Sequence, residues 1–269
     1  MKIAIRHSTH YYFDQPVPYA LQRLRLMPKD SAGQQVIHWT MKVEGGVCEA
    51  EYDDACNNHV ALIRVESGVE EVHIECTGEV ETDAAYHGIV GRHRGYTPLW
   101  FFRQSTPLTK VGHEINAIVS RVKASGGGND IKQLHALSAE ILNSVDYVVG
   151  ATHATTTAEE AAKLKQGVCQ DHAHIFLAAA RQLGYPARYV SGYLYMDDRP
   201  EQEAGHAWAE AWVEALGWVG FDISNGISPD ERYIRVATGR DYAEAAPIHS
   251  MSFGARDQQM IVRLRIDQQ

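Results

Sequence analysis

The 269-residue chain has no apolar run near the roughly 18 residues that a membrane-spanning helix needs. It has no basic excess either. Lys and Arg number 25 against 34 Asp and Glu, leaving a net charge of −9 spread over both halves. The electrostatic footprint of a nucleic-acid-binding protein is therefore missing. Cysteine is scarce: Cys48, Cys56, Cys76 and Cys169 are separated by 8, 20 and 93 residues, so no C-x-x-C pair or zinc spacing exists. Repeats and low-complexity linkers are absent. The start, Met1-Lys2-Ile3-Ala4-Ile5-Arg6-His7, lacks the apolar stretch of a secretory signal. A cytoplasmic setting with reduced thiols is the expectation. What is present is an ordinary globular composition, 45% hydrophobic and 22% charged, in a chain long enough to bury a sizeable core.

The first hundred residues read as strands. Ile3, Ile5, His7, Thr9 and Tyr11 alternate with their neighbours. The stretch 35–43 is β-rich, and Gly45-Gly46 after it suggests a hairpin turn into Val47. Val60 to Val65 and Glu71 to Val80 add two more strands. Short strands joined by turns, with little helical periodicity, predict a small β-sandwich.

The pattern changes near Pro98. Thr106-Pro107 resembles a helix start, and Val111, Ile115, Ile118, Val119 and Val122 recur at helical spacing. Residues 125–130, Ser-Gly-Gly-Gly-Asn-Asp, break that helix and cap a second stripe of Ile131, Leu134, Leu137, Ile141 and Leu142. Thr156-Thr157-Ala158-Glu159 fits a capping box for a short helix to Leu164. A further helix runs from about Cys169 to Leu183 and stops at Gly184. Strands follow at 187–195, 206–214, 218–223 and 260–266. The expected fold class is α+β, an N-terminal β-sandwich over 1–100 followed by an α+β domain over 101–269.

Cys169 stands at the first turn of its helix. Unpaired amides and the positive end of the helix dipole favour thiolate there, and thiolate is the nucleophilic form. Gly167 is read as a sharp turn that leaves room for a substrate beside the sulfur. A core cysteine at a helix start is the plainer reading of such a residue taken alone, since free cysteine is commonly buried. Partners change it. Gly205-His206-Ala207-Trp208-Ala209-Glu210 begins one strand, and Gly217-Trp218-Val219-Gly220-Phe221-Asp222 ends the next, with a turn at Leu216-Gly217. Hairpin pairing would set His206 beside Asp222, the geometry of an acid orienting an imidazole.

These segments, with Gly167-Val168-Cys169-Gln170-Asp171-His172-Ala173-His174, Pro186 to Tyr193 and Val236 to Tyr242, resemble the bacterial transglutaminase-like superfamily over roughly residues 145–245. His7-Ser8-Thr9-His10-Tyr11-Tyr12-Phe13 and Leu21-Gln22-Arg23-Leu24-Arg25-Leu26 resemble the β-rich domain that precedes that core. The resemblance implies a papain-like, transglutaminase-core catalytic domain over 101–269 with the triad Cys169, His206 and Asp222. The function expected of such a triad is a thiol enzyme, hydrolase or acyltransferase, that cleaves or transfers at amide, glutamine carboxamide or isopeptide bonds of a protein or peptide through a thioester. The chain departs from the family at four places. His172 replaces an aromatic residue, and Lys165-Gln166 stands where an arginine is common. Ile223-Ser224 replaces Pro-Thr after Asp222, and Ala55-Cys56-Asn57-Asn58 stands where a glycine-asparagine turn is expected.

No cofactor, metal, nucleic-acid or membrane partner is expected. His172 and His174 lie two apart on a helix and so do not share a face for one ion. No EF-hand-like loop is seen, so calcium dependence is not expected. Asp171 is read as serving the helix start. His87, His93 and His153 fall in polar loops. Trp208, Trp212 and Trp218 are read either as lining an acyl cleft or as core. The Cys169 amide is the first candidate for an oxyanion donor, with Gln166 second. The competing function is a non-catalytic binding module on the same fold.

Overall fold

The computed structural model describes residues 1–92, 94–126, 128–254 and 258–269. The first hundred residues form β1 (Lys2–Phe13), β2 (Tyr19–Leu24), β3 (Gln34–Glu44), β4 (Gly46–Asp53), β5 (His59–Val65), β6 (Glu71–Thr82) and the short β7 (Ile89–Gly91), of which β2 and β7 lie outside the predicted strands. Helices α1 (His113–Ala124) and α2 (Asp130–Ser144) follow. Next come β8 (Asp146–Tyr147), α3 (Ala158–Leu164), β9 (Gln166–Gly167) and α4 (Cys169–Gln182). The remainder is β10 (Ala187–Leu194), β11 (Glu201–Gln202), β12 (His206–Val213), β13 (Gly217–Phe221), β14 (Tyr233–Gly239), α5 (Tyr242–Ala245), β15 (Ile248–Phe253) and β16 (Gln258–Gln268).

Three antiparallel sheets result, with orders β11-β16-β1-β6-β3, β15-β2-β5-β4 and β14-β10-β12-β13-β7. Tyr11 and Phe13 of β1, Leu24 of β2, Ile63 of β5 and Ile74 of β6 meet in one apolar cluster, so the first two sheets share a core. Helices α1 to α4 cover the third sheet, where Ile118, Leu137 and Phe176 pack with Ala209 and Phe221. The class is mixed α and β, as expected. Sheet membership does not follow the expected 100/101 division, because β15 pairs with β2 and β16 with β1. Both strands close edges that the first hundred residues leave open, a common way of protecting a sheet.

Three local readings outside the site differ from the structure. Gly45-Gly46 makes no hairpin: β3 pairs with β6 and β4 with β5, so the chain crosses between sheets. Gly45 has φ +80°, and a Cβ there would lie 2.4 Å from the Glu71 carbonyl oxygen, which only glycine allows. Thr106-Pro107 opens a single 3₁₀ turn, not the long helix, which starts at His113. The amides of Gly112, Glu114 and Ile115 all donate to the Glu159 carboxylate, which caps α1 from another helix. That use of Glu159 moves the capping box of α3 one residue on, to Thr157 and Glu160. Gly127, one of the predicted breakers between α1 and α2, lies outside the described residues, as does His93.

Strand β14 has a free edge, and two side-chain amides pair with it. Gln34 donates through Nε2 to the Arg235 carbonyl at 2.8 Å and accepts from the Arg235 amide at 2.7 Å. Asn58 does the same at Thr238, with both contacts at 2.7 Å. Each amide stands in for a neighbouring strand. Asn57 before it has φ 63°, where the resemblance led one to expect glycine; asparagine is among the residues that tolerate this region. Removing the Asn58 side chain leaves two buried backbone groups unpaired at about 1–3 kcal/mol each. Asn58→Ala is expected to lower the melting temperature by about 4–10 °C, measured by circular dichroism. An unchanged melting curve would show that the edge needs no such cover.

Candidate active site

Helix α4 is buried along almost its whole length, from Asp171 to Arg181. Its small side chains, Ala173, Ala178, Ala179 and Ala180, let neighbouring elements approach closely. The polar residues each have a local task. Asp171 accepts from the Val168 amide at 2.8 Å and from the Thr152 hydroxyl at 2.6 Å, tying down the helix start as expected. Gly167 serves that contact and not substrate space: a Cβ on it would fall 2.6 Å from the Cβ of Asp171. His172 donates through Nε2 to the Val145 carbonyl and accepts at Nδ1 from Ser224. His174 accepts from the Tyr242 amide at Nε2. The two histidines thus turn to different partners, and burial lowers both, His174 to about 3. Both stay neutral near pH 7.

Cys169 is the first residue of this fixed helix and half-buried. Strands β12 and β13 pair as the predicted hairpin, with Trp212 opposite Trp218 and Ala209 opposite Phe221. His206 opens the first strand and Asp222 follows the second. His206 Nε2 donates to Asp222 Oδ2 at 2.7 Å. Cys169 lines the same cavity as His206, and since Asp222 occupies Nε2, Nδ1 is the ring nitrogen that Asp222 leaves unused. Burial opposes a charge on this imidazole. The Asp222 hydrogen bond and the charges of Cys169 and Asp222 outweigh burial and raise His206 to about 10.

Asp222 is fully buried. Its Oδ2 also accepts from the Tyr233 hydroxyl and from Asn225 Nδ2, each at 2.7 Å. Burial would raise its pKa, but these donors, led by His206, hold it below the usual carboxylate range. Trp208 stacks on the His206 ring, with centroids 6.2 Å apart. Tyr233 was not legible beforehand, since it arrives from β14 and carries no motif. The structure brings Cys169, His206 and Asp222 together but leaves other candidates aside. Gln166 is exposed and pairs with Asp146 in a two-stranded ladder. Trp212 and Trp218 pack on each other, and none of the three tryptophans lines the adjoining cavity.

That cavity has a volume of about 240 Å³. Cys169, His206 and Tyr189 line it beside residues from both ends of the chain, including His7, Thr9 and Arg25 near the start and Met260 and Val262 near the end. The inward side of β1 reads Ile3, Ile5, His7, Thr9, Tyr11, Phe13, and its two polar residues are the ones that reach the cavity. His7 is bound to Tyr193 and Thr9, and burial lowers it to about 4.

A thiol at a helix start shares its cavity with an imidazole that a buried carboxylate holds, a set of groups suited to thiol nucleophilic chemistry. The chain carries a transglutaminase-like core behind a bacterial transglutaminase-like N-terminal region. Residues 117–223 match the family model of the transglutaminase-like superfamily, and residues 3–81 match the bacterial transglutaminase-like N-terminal region. An uncharacterized protein of Mycobacterium leprae is 27% identical over 98% of each chain. One from Mycobacterium tuberculosis strain H37Rv is 35% identical over 133 residues, 46% of this chain and 42% of that protein. A solved structure from Cytophaga hutchinsonii, described as a candidate cysteine protease, superposes with TM-score 0.74 at 19% identity, covering 99% of this chain and 98% of that one. At that identity the likeness is one of fold.

Because His206 rises from 6.5 to about 10 on folding, its pairing stabilises the native chain fully below pH 6.5 and loses that contribution as pH climbs toward 10. The His206 ring should be imidazolium at pH 8 by NMR titration, and Asp222→Asn should return it toward its ordinary range. The urea-stability gap between wild type and Asp222→Asn should narrow from pH 6 to 10. A ring that titrates near 6.5 in the wild type would contradict the geometry.

Proposed function

We propose that the protein is a thiol hydrolase acting on amide, peptide or isopeptide bonds through a thioester on Cys169. The observation that carries this reading is the position of His206, which shares a cavity with Cys169 and hydrogen-bonds to the buried carboxylate of Asp222. His206 enters the reaction as the imidazolium, so it already carries the proton when the sulfur attacks the carbonyl carbon. The oxyanion that forms faces the first-turn amides of α4, among them that of Cys169. Collapse of this intermediate breaks the C–N bond, and His206 returns the proton to the leaving amine. Water then attacks the thioester, giving its proton to His206, and the carboxylic acid leaves as the thiol is restored. Asp222 stays ionised throughout and holds the ring by Nε2.

Water is favoured over an amine as the second nucleophile by the make-up of the cavity. Its described lining carries no carboxylate, so nothing there attracts the ammonium of an incoming lysine. The N-terminal strands do no chemistry in this scheme; they wall the cavity. The cytoplasm, with its reduced thiols, is the setting that suits this chemistry.

Three other thiols serve as internal controls. Burial raises Cys76 to about 12 and also raises Cys56; burial and then the flanking glutamates raise Cys48. Iodoacetamide near pH 6 should therefore label Cys169 far faster than the rest, as read by peptide mapping. Equal labelling rates would remove the case for an activated sulfur and favour a binding module. Once a substrate is found in a peptide screen, Cys169→Ala should abolish turnover with the fold intact. His206→Ala should cost about 10²–10⁴-fold, and Asp222→Ala less. Amine adducts outweighing hydrolysis at modest amine concentration would make the protein a transferase.

A further inference from the structure

We propose that Arg25 is a specificity residue that receives a substrate carboxylate inside the Cys169 cavity. Arg25 follows the last residue of β2, and its amide donates to the Pro247 carbonyl, so its backbone is anchored between β2 and β15. The residue is only 5% exposed, yet it lines the same cavity as Cys169 and His206. It is the one arginine or lysine in the described lining, and no acid accompanies it there.

The guanidinium is incompletely used. Its Nε donates to Asp54 Oδ2 at 3.2 Å, while Nη1 is buried and has no hydrogen-bond partner. Asp54 is itself shared, accepting from the Cys56 and Asn58 amides and from Asn58 Nδ2. A buried charged donor left unmatched is costly; Arg23 Nε is also buried without a partner, and what sets Arg25 apart is its place in the lining of the Cys169 cavity. Arg181, equally enclosed, shows the contrast: it donates to the carbonyls of Phe102, Ala187 and Arg240 and to the Thr109 hydroxyl. Guanidinium presents a planar fork that matches a carboxylate, and such a contact is stronger in an apolar cavity than in water. Of the other basic groups in the lining, His7 is kept neutral by its burial and bound to Tyr193 and Thr9, and the charge of His206 is already paired with Asp222.

The ligand chemistry is therefore a peptide or isopeptide bearing a carboxylate, from an acidic side chain or from a free C-terminus. This deepens the hydrolase reading above and takes its meaning from it, but binding can be measured without turnover. The probes are four alanine-based pentapeptides with a central Glu or Gln, each ended by a carboxylate or a carboxamide. Calorimetry on the full chain carrying Cys169→Ala should show the acid member of one pair binding about 10- to 100-fold tighter than its neutral partner. The Glu/Gln pair reports a side-chain carboxylate, and the acid/amide pair a C-terminal one. Arg25→Met in the same background should abolish that preference and leave the neutral peptides unchanged, and Arg25→Lys should retain part of it. Circular dichroism checks that each variant folds. If Arg25→Met does not fold, the Arg25→Lys comparison decides, because a purely structural role predicts no narrowing of the acid preference. Equal binding of all four peptides, no binding at millimolar concentration, or a preference that survives the loss of Arg25 would overturn the assignment. Failure of Cys169→Ala to affect turnover would overturn the hydrolase reading alone.

Discussion

A helix enclosed on every side can hold a polar residue only where a partner waits for it, and α4 is such a helix. From Asp171 to Arg181 its residues are buried. Asp171, His172, His174 and Arg181 each reach a specific backbone or side-chain group on another part of the chain. Asp171 Oδ1 and His174 Nδ1 keep no partner at that depth, but each of these side chains is held through its other polar atom. These pairings therefore fix the rotation and axial position of the helix. Cys169, at its first turn, inherits that rigidity, and the sheet can present His206 to a sulfur that does not wander.

The sheet side is held by charge as well as packing. Glu210 lies four residues beyond His206 on β12 and is fully buried between Arg188 and Arg235, which keep it ionised. Arg188 in turn sits over the Trp218 ring, 4.0 Å from its centre. Replacing such a network with apolar residues could be neutral for stability. Its effect is on register: a one-residue slip of β12 would strand Glu210 without its arginines and carry His206 away from Asp222. Stabilisation of the fold and alignment of the site are in this way the same constraint.

The site is also a product of both ends of the chain. Gln34 and Asn58 pair with the edge of β14, which supplies Tyr233 to Asp222. Strands β15 and β16 return to β2 and β1, bringing Met260 and Val262 to the cavity opposite His7 and Arg25. The N-terminal sheets thus shape the cavity while the reacting groups come from α4 and one hairpin. A truncation near Pro98 would remove walls, edge cover and Arg25 together.

By itself the sequence determined whatever depends on short separations. Strand alternation, the helix beginning at Cys169 and its stop at Gly184 all arise within a few residues. So does the neighbourhood of His206 and Asp222, because a tight turn between two strands leaves little freedom in what lies opposite what. The tertiary structure decided the rest. Gly45 carries the chain from one sheet to another because of where the Glu71 carbonyl lies. Glu159 caps a helix that precedes it by more than forty residues. Tyr233, Asn58, His7 and Arg25 meet their partners across long stretches of chain, where no periodicity or spacing records the contact. Local geometry is written in neighbouring residues; a cavity walled by distant segments exists only once the whole chain has packed.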